Sequence, residues 1–161
     1  MTDIPVSHPR YASLVARERV AEGVRRGYTS TQGLIAQGRG ECFDYLIGEK
    51  TTPAALQAIR AAAAMLLLAE RPALSVNGNV AAQTAEEMVA LAAALKIPLE
   101  VNLFYRSEER VAKIADLLRE KGAAQVVGER RGACVRGLDR ARALATRCAS
   151  SGALVVHIHM N

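Results

Sequence analysis

Three groups of residues in this 161-residue chain have the types and spacing to do chemistry. The first is Arg39, set between Gly38 and Gly40, with Arg17 on the preceding helical stretch. Glycines flanking an arginine let the backbone approach a ligand while one cation points at it. A solvated loop arginine is the competing reading. If the two segments form a helical hairpin, Arg17 and Arg39 face one another across a phosphate. The second group is Asn77-Gly78-Asn79, which follows an apolar run over residues 73–76, with Asn102 and Arg106 closing a similar run over 99–104. Strand, polar glycine-containing turn and helix is how an α/β sheet offers backbone N–H groups to an anion. Asparagines also cap helices through their own backbone, so both readings stay open. The third group is His8 beside Arg10, an imidazole and a guanidinium suited to an anion.

Other chemistry has weaker support. No Ser/His/Asp order or Cys/His pair points to covalent catalysis. His157 and His159 share one strand face, but no third metal ligand lies nearby in sequence. Glu41, Asp44 and Glu49 have the oxygen ligands Mg²⁺ takes, and capping or loop solvation explains them as well. Gly48-Glu49-Lys50-Thr51 lacks the glycines of a phosphate loop.

The elements that must hold these groups follow from pattern. Tyr11–Arg26 is helical, opened by Ser7-His8-Pro9 and stopped at Gly27. Residues 32–37 read as a short helix interrupted at Gly38-Arg39-Gly40-Glu41. Thr52-Pro53 starts a helix over 54–70, apolar nearly all round and expected to be buried on the sheet. Strand 73–76 leads to a helix over 84–95, opened by a capping box of Thr84 and Glu87. Strand 99–104 leads to a helix over 108–121, capped by Ser107 and ended at Gly122. A strand at 125–128, a basic helix over 138–149 and a last strand at 153–160 complete the alternation. This is α/β, a wound parallel sheet with flanking helices, preceded by a helical N-terminal segment over residues 1–70 that packs over the strand ends. The chain is expected to be a single domain over 1–161.

Composition narrows the partners. Net charge is +5, partly from Arg130-Arg131 and the 136–147 stretch, and the aromatic fraction is 4%. A basic chain suits phosphorylated small molecules or nucleic acid, and scarce aromatics favour the small phosphates. Cys42, Cys134 and Cys148 have no paired spacing, as expected of reduced thiols in a cytoplasmic protein. The most apolar window, 61–69, is too short to cross a bilayer.

Longer motifs then fall in one order. Ser7-His8-Pro9-Arg10-Tyr11, the run from Gly33 through Glu41, Phe43-Asp44-Tyr45-Leu46 with Gly48-Glu49, Ser75-Val76-Asn77-Gly78-Asn79 and Glu100-Val101-Asn102-Leu103-Phe104 with Glu109-Arg110-Val111 resemble the archaeal 4-phosphopantoate–β-alanine ligase (phosphopantothenate synthetase) family. The likeness runs from about Ile4 to Arg142. It implies a Rossmann-like fold, a homodimer, and an ATP-dependent ligase of coenzyme A biosynthesis. Such an enzyme joins 4-phosphopantoate to β-alanine and releases AMP and pyrophosphate, with Mg²⁺ assisting. The family's nucleotide-contacting arginines match Arg17 and Arg39. By chemistry, the phosphopantoate end falls to Asn77-Gly78-Asn79 and Arg106, with His8, Arg10, Gly38, Gly40 and Asn102 as further candidate contacts.

The family also carries C-terminal Asp-Gly-Asp-Arg and Asn-Pro-Leu-Ser-Arg-Thr segments that are not found here. The expectation is therefore a C-terminally shortened member. The alternatives are an inactive homologue or a non-catalytic module that binds phosphate or nucleic acid through the basic stretch 130–147.

Overall fold

A computed structural model describes residues 4–70 and 72–129, and the backbone of 155–157. Among the described residues, five helices and four strands follow in the order α1 (Tyr11–Arg26), α2 (Thr31–Leu46), α3 (Pro53–Leu68), β1 (Ala73–Val76), α4 (Gly78–Leu95), β2 (Leu99–Val101), α5 (Glu108–Glu120), β3 (Val126–Val127) and β4 (Val155–His157). The sheet order is β3-β2-β1-β4, and every pair is parallel. From β1 the chain steps to β2 and β3 on one side, then places β4 on the other. The order therefore reverses between β1 and β4, and the carboxyl ends of the strands at such a reversal are where open α/β sheets bind ligands. The α/β architecture with a helical N-terminal part is as the sequence led us to expect.

The core lies on one face of the sheet. Leu74 and Val76 of β1 pair in register with Leu99 and Val101 of β2, and all four are buried. Against them pack Val80, Ala85, Met88 and Val89 of α4, and Val111, Ile114, Ala115 and Leu118 of α5. The α5 set recurs at helical spacing, one stripe turned inward. Ser75 alternates to the other face, in register with Glu100 on one side and His157 on the other. Ser75 and Glu100 are buried too.

Local chemistry explains the helix ends. Gly27 adopts φ +80°, and the Gly27 and Tyr28 amides donate to Val24 and Gly23 carbonyls. That double bond closes a helix only when the residue after it is left-handed, which glycine permits. Thr52 and Ser107 cap α3 and α5 by accepting from the Ala55 and Arg110 amides.

Several expectations need correction. Ser7 does not cap α1: the capping position is Arg10, with no side-chain cap bond. The glycine-flanked arginine is not a loop. Helix α2 starts at the Ser30 cap and runs unbroken through Gly38, Arg39 and Gly40. Its Gln37, Gly40 and Glu41 are buried on one face, and that tertiary contact outweighs the roughly 0.5–1 kcal/mol each helical glycine costs. Helix α4 begins at Gly78 under an Asn77 cap. Thr84 marks a kink inside it, at φ −140° and ψ 34°, with its hydroxyl donating to the Val80 carbonyl. Strand β2 ends at Val101 rather than at 104.

Helix α3 is not buried on the sheet: only Leu66 is, and Leu67 and Leu68 are 71% and 83% exposed. Alanine and leucine form a helix by intrinsic propensity without needing a covering partner. No helix among the described residues is long and apolar enough to cross a membrane.

Candidate functional site

At the carboxyl ends of β1 and β2 lies an open cleft of about 390 Å³. Its floor is the start of α4, Asn77, Gly78 and Asn79. One wall is the α1–α2 turn and the first turns of α2, from Thr29 to Arg39. The other is Leu103, Phe104 and Tyr105 after β2, with Arg110 from α5. Among these lining residues are two arginines and no acid.

The floor is fixed by close packing. Gly78 is buried beneath the α1–α2 turn, and a Cβ on it would stand 2.5 Å from the Tyr28 carbonyl oxygen. Both ends of the Asn79 amide are engaged. Its Oδ1 accepts from the Thr29 hydroxyl at 2.6 Å, and its Nδ2 donates to the Gly33 carbonyl at 2.9 Å. Asn77 Oδ1 accepts from the Val80 amide at 3.0 Å. Asn79 therefore ties the start of α4 to the α1–α2 turn and to α2. What the floor offers an anion is the amino end of α4, whose first N–H groups have no intrahelical acceptor.

The second strand end is looser. The Asn102 amide N–H donates to the Val76 carbonyl at 2.9 Å, coupling the two strand ends. Its side chain is buried, yet among the described residues Nδ2 has no hydrogen-bond partner. Phe104 and Tyr105 meet edge to face at 4.8 Å and are largely exposed. Arg110 Nη1 donates to the Tyr105 carbonyl at 3.0 Å, while its Nε is buried without a partner. Burial lowers the pKa of this guanidinium.

The structure gathers Arg39, Asn77, Gly78 and Asn79 into one cleft and leaves other candidates outside. Arg17 is exposed on α1 and does not line it. Arg106 is turned away, its Nη2 donating to the Glu129 carbonyl at 2.9 Å and its Nε 3.4 Å from Glu108. Arg10 forms an ion pair with the buried Glu41 and lies over the Tyr45 ring, 5.2 Å from its centroid. His8 is exposed, its Nδ1 accepting from the Arg10 amide. Arg10 thereby anchors the N-terminal segment to α2. Gly38 is exposed and Gly40 buried.

Arg110 was not singled out as a site residue from sequence. A signal was there: it sits in the first turn of α5, where the helix dipole disfavours a cation. A cation held against that field invites a search for its anion.

A larger groove, about 680 Å³, runs between α1 and the α4–α5 pair. Its four acids (Glu18, Glu22, Glu86, Glu87) balance its four bases (Arg19, Arg25, Arg26, Lys121). Glu22 pairs with Arg25 and Arg26, and Glu86 with Lys121, so the groove presents no net field to a phosphate.

The described residues hold no group of three His, Cys, Asp or Glu able to bind a metal. Glu41 is committed to Arg10, so the acids considered for Mg²⁺ do not form a ligand set. The His159 side of the histidine pair, the side chain of His157 and the basic stretch 130–147 lie outside the described residues. Cys42 is a free, exposed thiol.

Comparison with known proteins decides the family. A family model described as phosphopantothenate/pantothenate synthetase matches residues 54–160. The chain belongs to this family. Among curated phosphopantothenate synthetase relatives, the 4-phosphopantoate–β-alanine ligase of Methanosarcina mazei is 60% identical over 129 residues, covering 80% of this chain and 51% of its own. That of Thermococcus kodakarensis is 59% identical over 120 residues, 74% of this chain and 46% of its own. That of Methanospirillum hungatei is 54% identical over 125 residues, 78% and 51% respectively. The chain spans about half the length of the curated relatives it matches.

Proposed function

We propose that this synthetase-family chain acts in the ATP-dependent ligation of 4-phosphopantoate to β-alanine, giving 4′-phosphopantothenate, AMP and pyrophosphate on the route to coenzyme A. The observation that carries the reading is the 54–60% identity to proteins named for that ligation. The acid-free, two-arginine cleft at the strand ends supports it.

The cleft suits positional catalysis. ATP activates the pantoate carboxylate as an acyl-adenylate, and the β-alanine amine attacks it. Arg39 is assigned to the nucleotide phosphates, where a fork of donors offsets charge as pyrophosphate leaves. Arg17, on the outer face of α1, is assigned with it. The amino end of α4 supplies fixed N–H dipoles to a phosphate or carboxylate. Mg²⁺ would contribute Lewis-acid charge on the phosphates. It commonly binds such sites through substrate oxygens and water, which fits the lack of a ligand cluster among the described residues.

The proposed state is a homodimer, which would give the exposed apolar side chains of α2 and α3, such as Phe43, Leu46 and Leu68, a surface to meet.

The test is AMP release by the 161-residue chain. Release that requires both 4-phosphopantoate and β-alanine is expected. Release that depends on neither overturns the reading, and ATP binding with no AMP under any condition replaces it with a binding role. Arg39→Ala is expected to weaken ATP binding by about tenfold or more, the range for losing a charge-assisted pair. An unchanged affinity removes Arg39 from the nucleotide site.

A further inference from the structure

Several arginines of the molecule can be compared by what already satisfies them. Arg106 has a carboxylate beside it, Glu108, and a backbone carbonyl, Glu129. Arg10 has the buried carboxylate of Glu41. Arg25, Arg26 and Arg119 are paired with acids on the surface. Arg110 differs. Among the described residues no carboxylate lies within ion-pair distance of it, and its one hydrogen bond goes to a neutral carbonyl, that of Tyr105. Its Nε is cut off from solvent with nothing to bond. It sits in the first turn of α5, where the dipole opposes it. Burial pulls its pKa down, the sign of a positive charge that has lost water without gaining an anion. A partly buried guanidinium with a sealed, unbonded N–H loses hydration that an anion would restore.

The geometry supplies the place for that anion. Arg110 and Arg39 project from α5 and α2 into the same cleft, with the amino end of α4 at its floor. Three positive elements from three helices converge there.

We propose that Arg110 is a phosphate-binding residue, closing on a substrate phosphate from the side opposite Arg39. The ligand class is a phosphate ester or polyphosphate, and in the reading above it has two sources, the phosphate of 4-phosphopantoate and the phosphates of ATP. The assignment rests on that reading for the identity of the substrates, but not for the anion site itself.

The experiment measures binding and turnover separately. Pyrophosphate binding to the 161-residue chain is followed by calorimetry for the parent and for Arg110→Gln, with thermal melting as the folding control. The parent is expected to bind, and Arg110→Gln to bind at least about tenfold more weakly. Equal affinity overturns the proposal, whatever the ligase assay shows. If Arg110→Gln fails to fold, Arg110→Lys takes its place. It keeps the stem and the charge but not the planar fork, so a several-fold loss is expected and equal affinity again overturns the assignment.

The KM values then tell the two sources apart. In Arg110→Gln a rise confined to 4-phosphopantoate places its phosphate on Arg110, and a rise confined to ATP places the nucleotide there. A rise in neither, with turnover intact, overturns the proposal. Failure of the parent to release AMP counts against the ligase reading alone, because the pyrophosphate measurement stands without it.

Discussion

The ends of β1 and β2 are written in the same local grammar, an apolar strand, an asparagine, and then a helix, yet their polar groups are engaged differently. At the end of β1 nearly everything polar is spent on the scaffold. Asn77 caps α4, and Asn79 bonds Thr29 and Gly33. Gly78 has no room even for a methyl group. At the end of β2 polar atoms are buried and left over, Asn102 Nδ2 and Arg110 Nε. The difference comes from what packs above each end. The α1–α2 turn sits directly on Gly78 through Tyr28 and Thr29. Among the described residues no such turn packs on Phe104 and Tyr105, which stay more than half exposed. A polar strand end becomes scaffold when another element reaches down to satisfy it, and becomes available to a ligand when none does.

The largest effect that bears on this contrast is at Gly78. Gly78→Ala sets a Cβ 2.5 Å from the Tyr28 carbonyl and 2.9 Å from Thr29 Cα, both backbone atoms that cannot swing aside. Overpacking of this kind is expected to cost about 3 kcal/mol, a large share of a typical 5–15 kcal/mol stability. Urea unfolding measures it. A change below about 0.5 kcal/mol would show that the turn over β1 is free to lift, and the two strand ends would no longer differ in kind.

A smaller, paired test sets one asparagine against the other. Asn79→Ala removes two hydrogen bonds and strands the buried Thr29 hydroxyl, an expected loss of about 2 kcal/mol. Asn102→Ala removes a side-chain N–H group that has no partner, and leaves the backbone bond to Val76 intact. Its expected cost is under about 1 kcal/mol, since an unpaired donor contributes no bond to lose. The same unfolding curves decide it, and the reverse order would invert the assignment of scaffold and ligand face.

Most of the sheet was legible because its signals are local. Leu-Ser-Val at 74–76, the Ser107 cap, and the stops at Gly27 and Gly122 each carry their own physics, and each stands where it was read. Three features were not legible because they depend on contacts distant in sequence. Helix α2 persists through Gly38 and Gly40 because one of its faces is buried and Glu41 holds Arg10. Helix α4 reaches back to Gly78 under the Asn77 cap with Tyr28 and Thr29, far away in sequence, packed on its first residue. Helix α3 looked buried because all its faces are apolar, and composition does not say which neighbours are present. The site divides the same way. Arg39 and the Asn77–Asn79 floor were visible as motifs. Arg110 was hidden within a helix start, and the bond of Arg106 to the Glu129 carbonyl could not be read because its partner lies on the far side of α5 in sequence.

The smallest effect concerns the residue that keeps Arg106 out of the cleft. Glu129 holds two arginines: its carbonyl accepts from Arg106, and its carboxylate pairs with Arg119, Nη1 to Oε1 at 3.0 Å. The Arg119 hydrogen bond lowers the Glu129 pKa below its ordinary 4.5. A carboxylate lowered in the folded state stabilises fully above the unfolded value, and that contribution disappears as the pH falls through the folded one. The pair is substantially exposed, so Glu129→Gln is expected to cost no more than about 0.5 kcal/mol at pH 7. The difference should close as the pH is taken well below 4.5. Because glutamine keeps the backbone carbonyl, Arg106 stays where it is and pyrophosphate affinity should not move. A gain in affinity in Glu129→Gln would mean that Arg106 can swing into the cleft once the β3 exit loosens. The phosphate would then be shared between two arginines of the β2 end, and Arg110 would not be its sole anchor there.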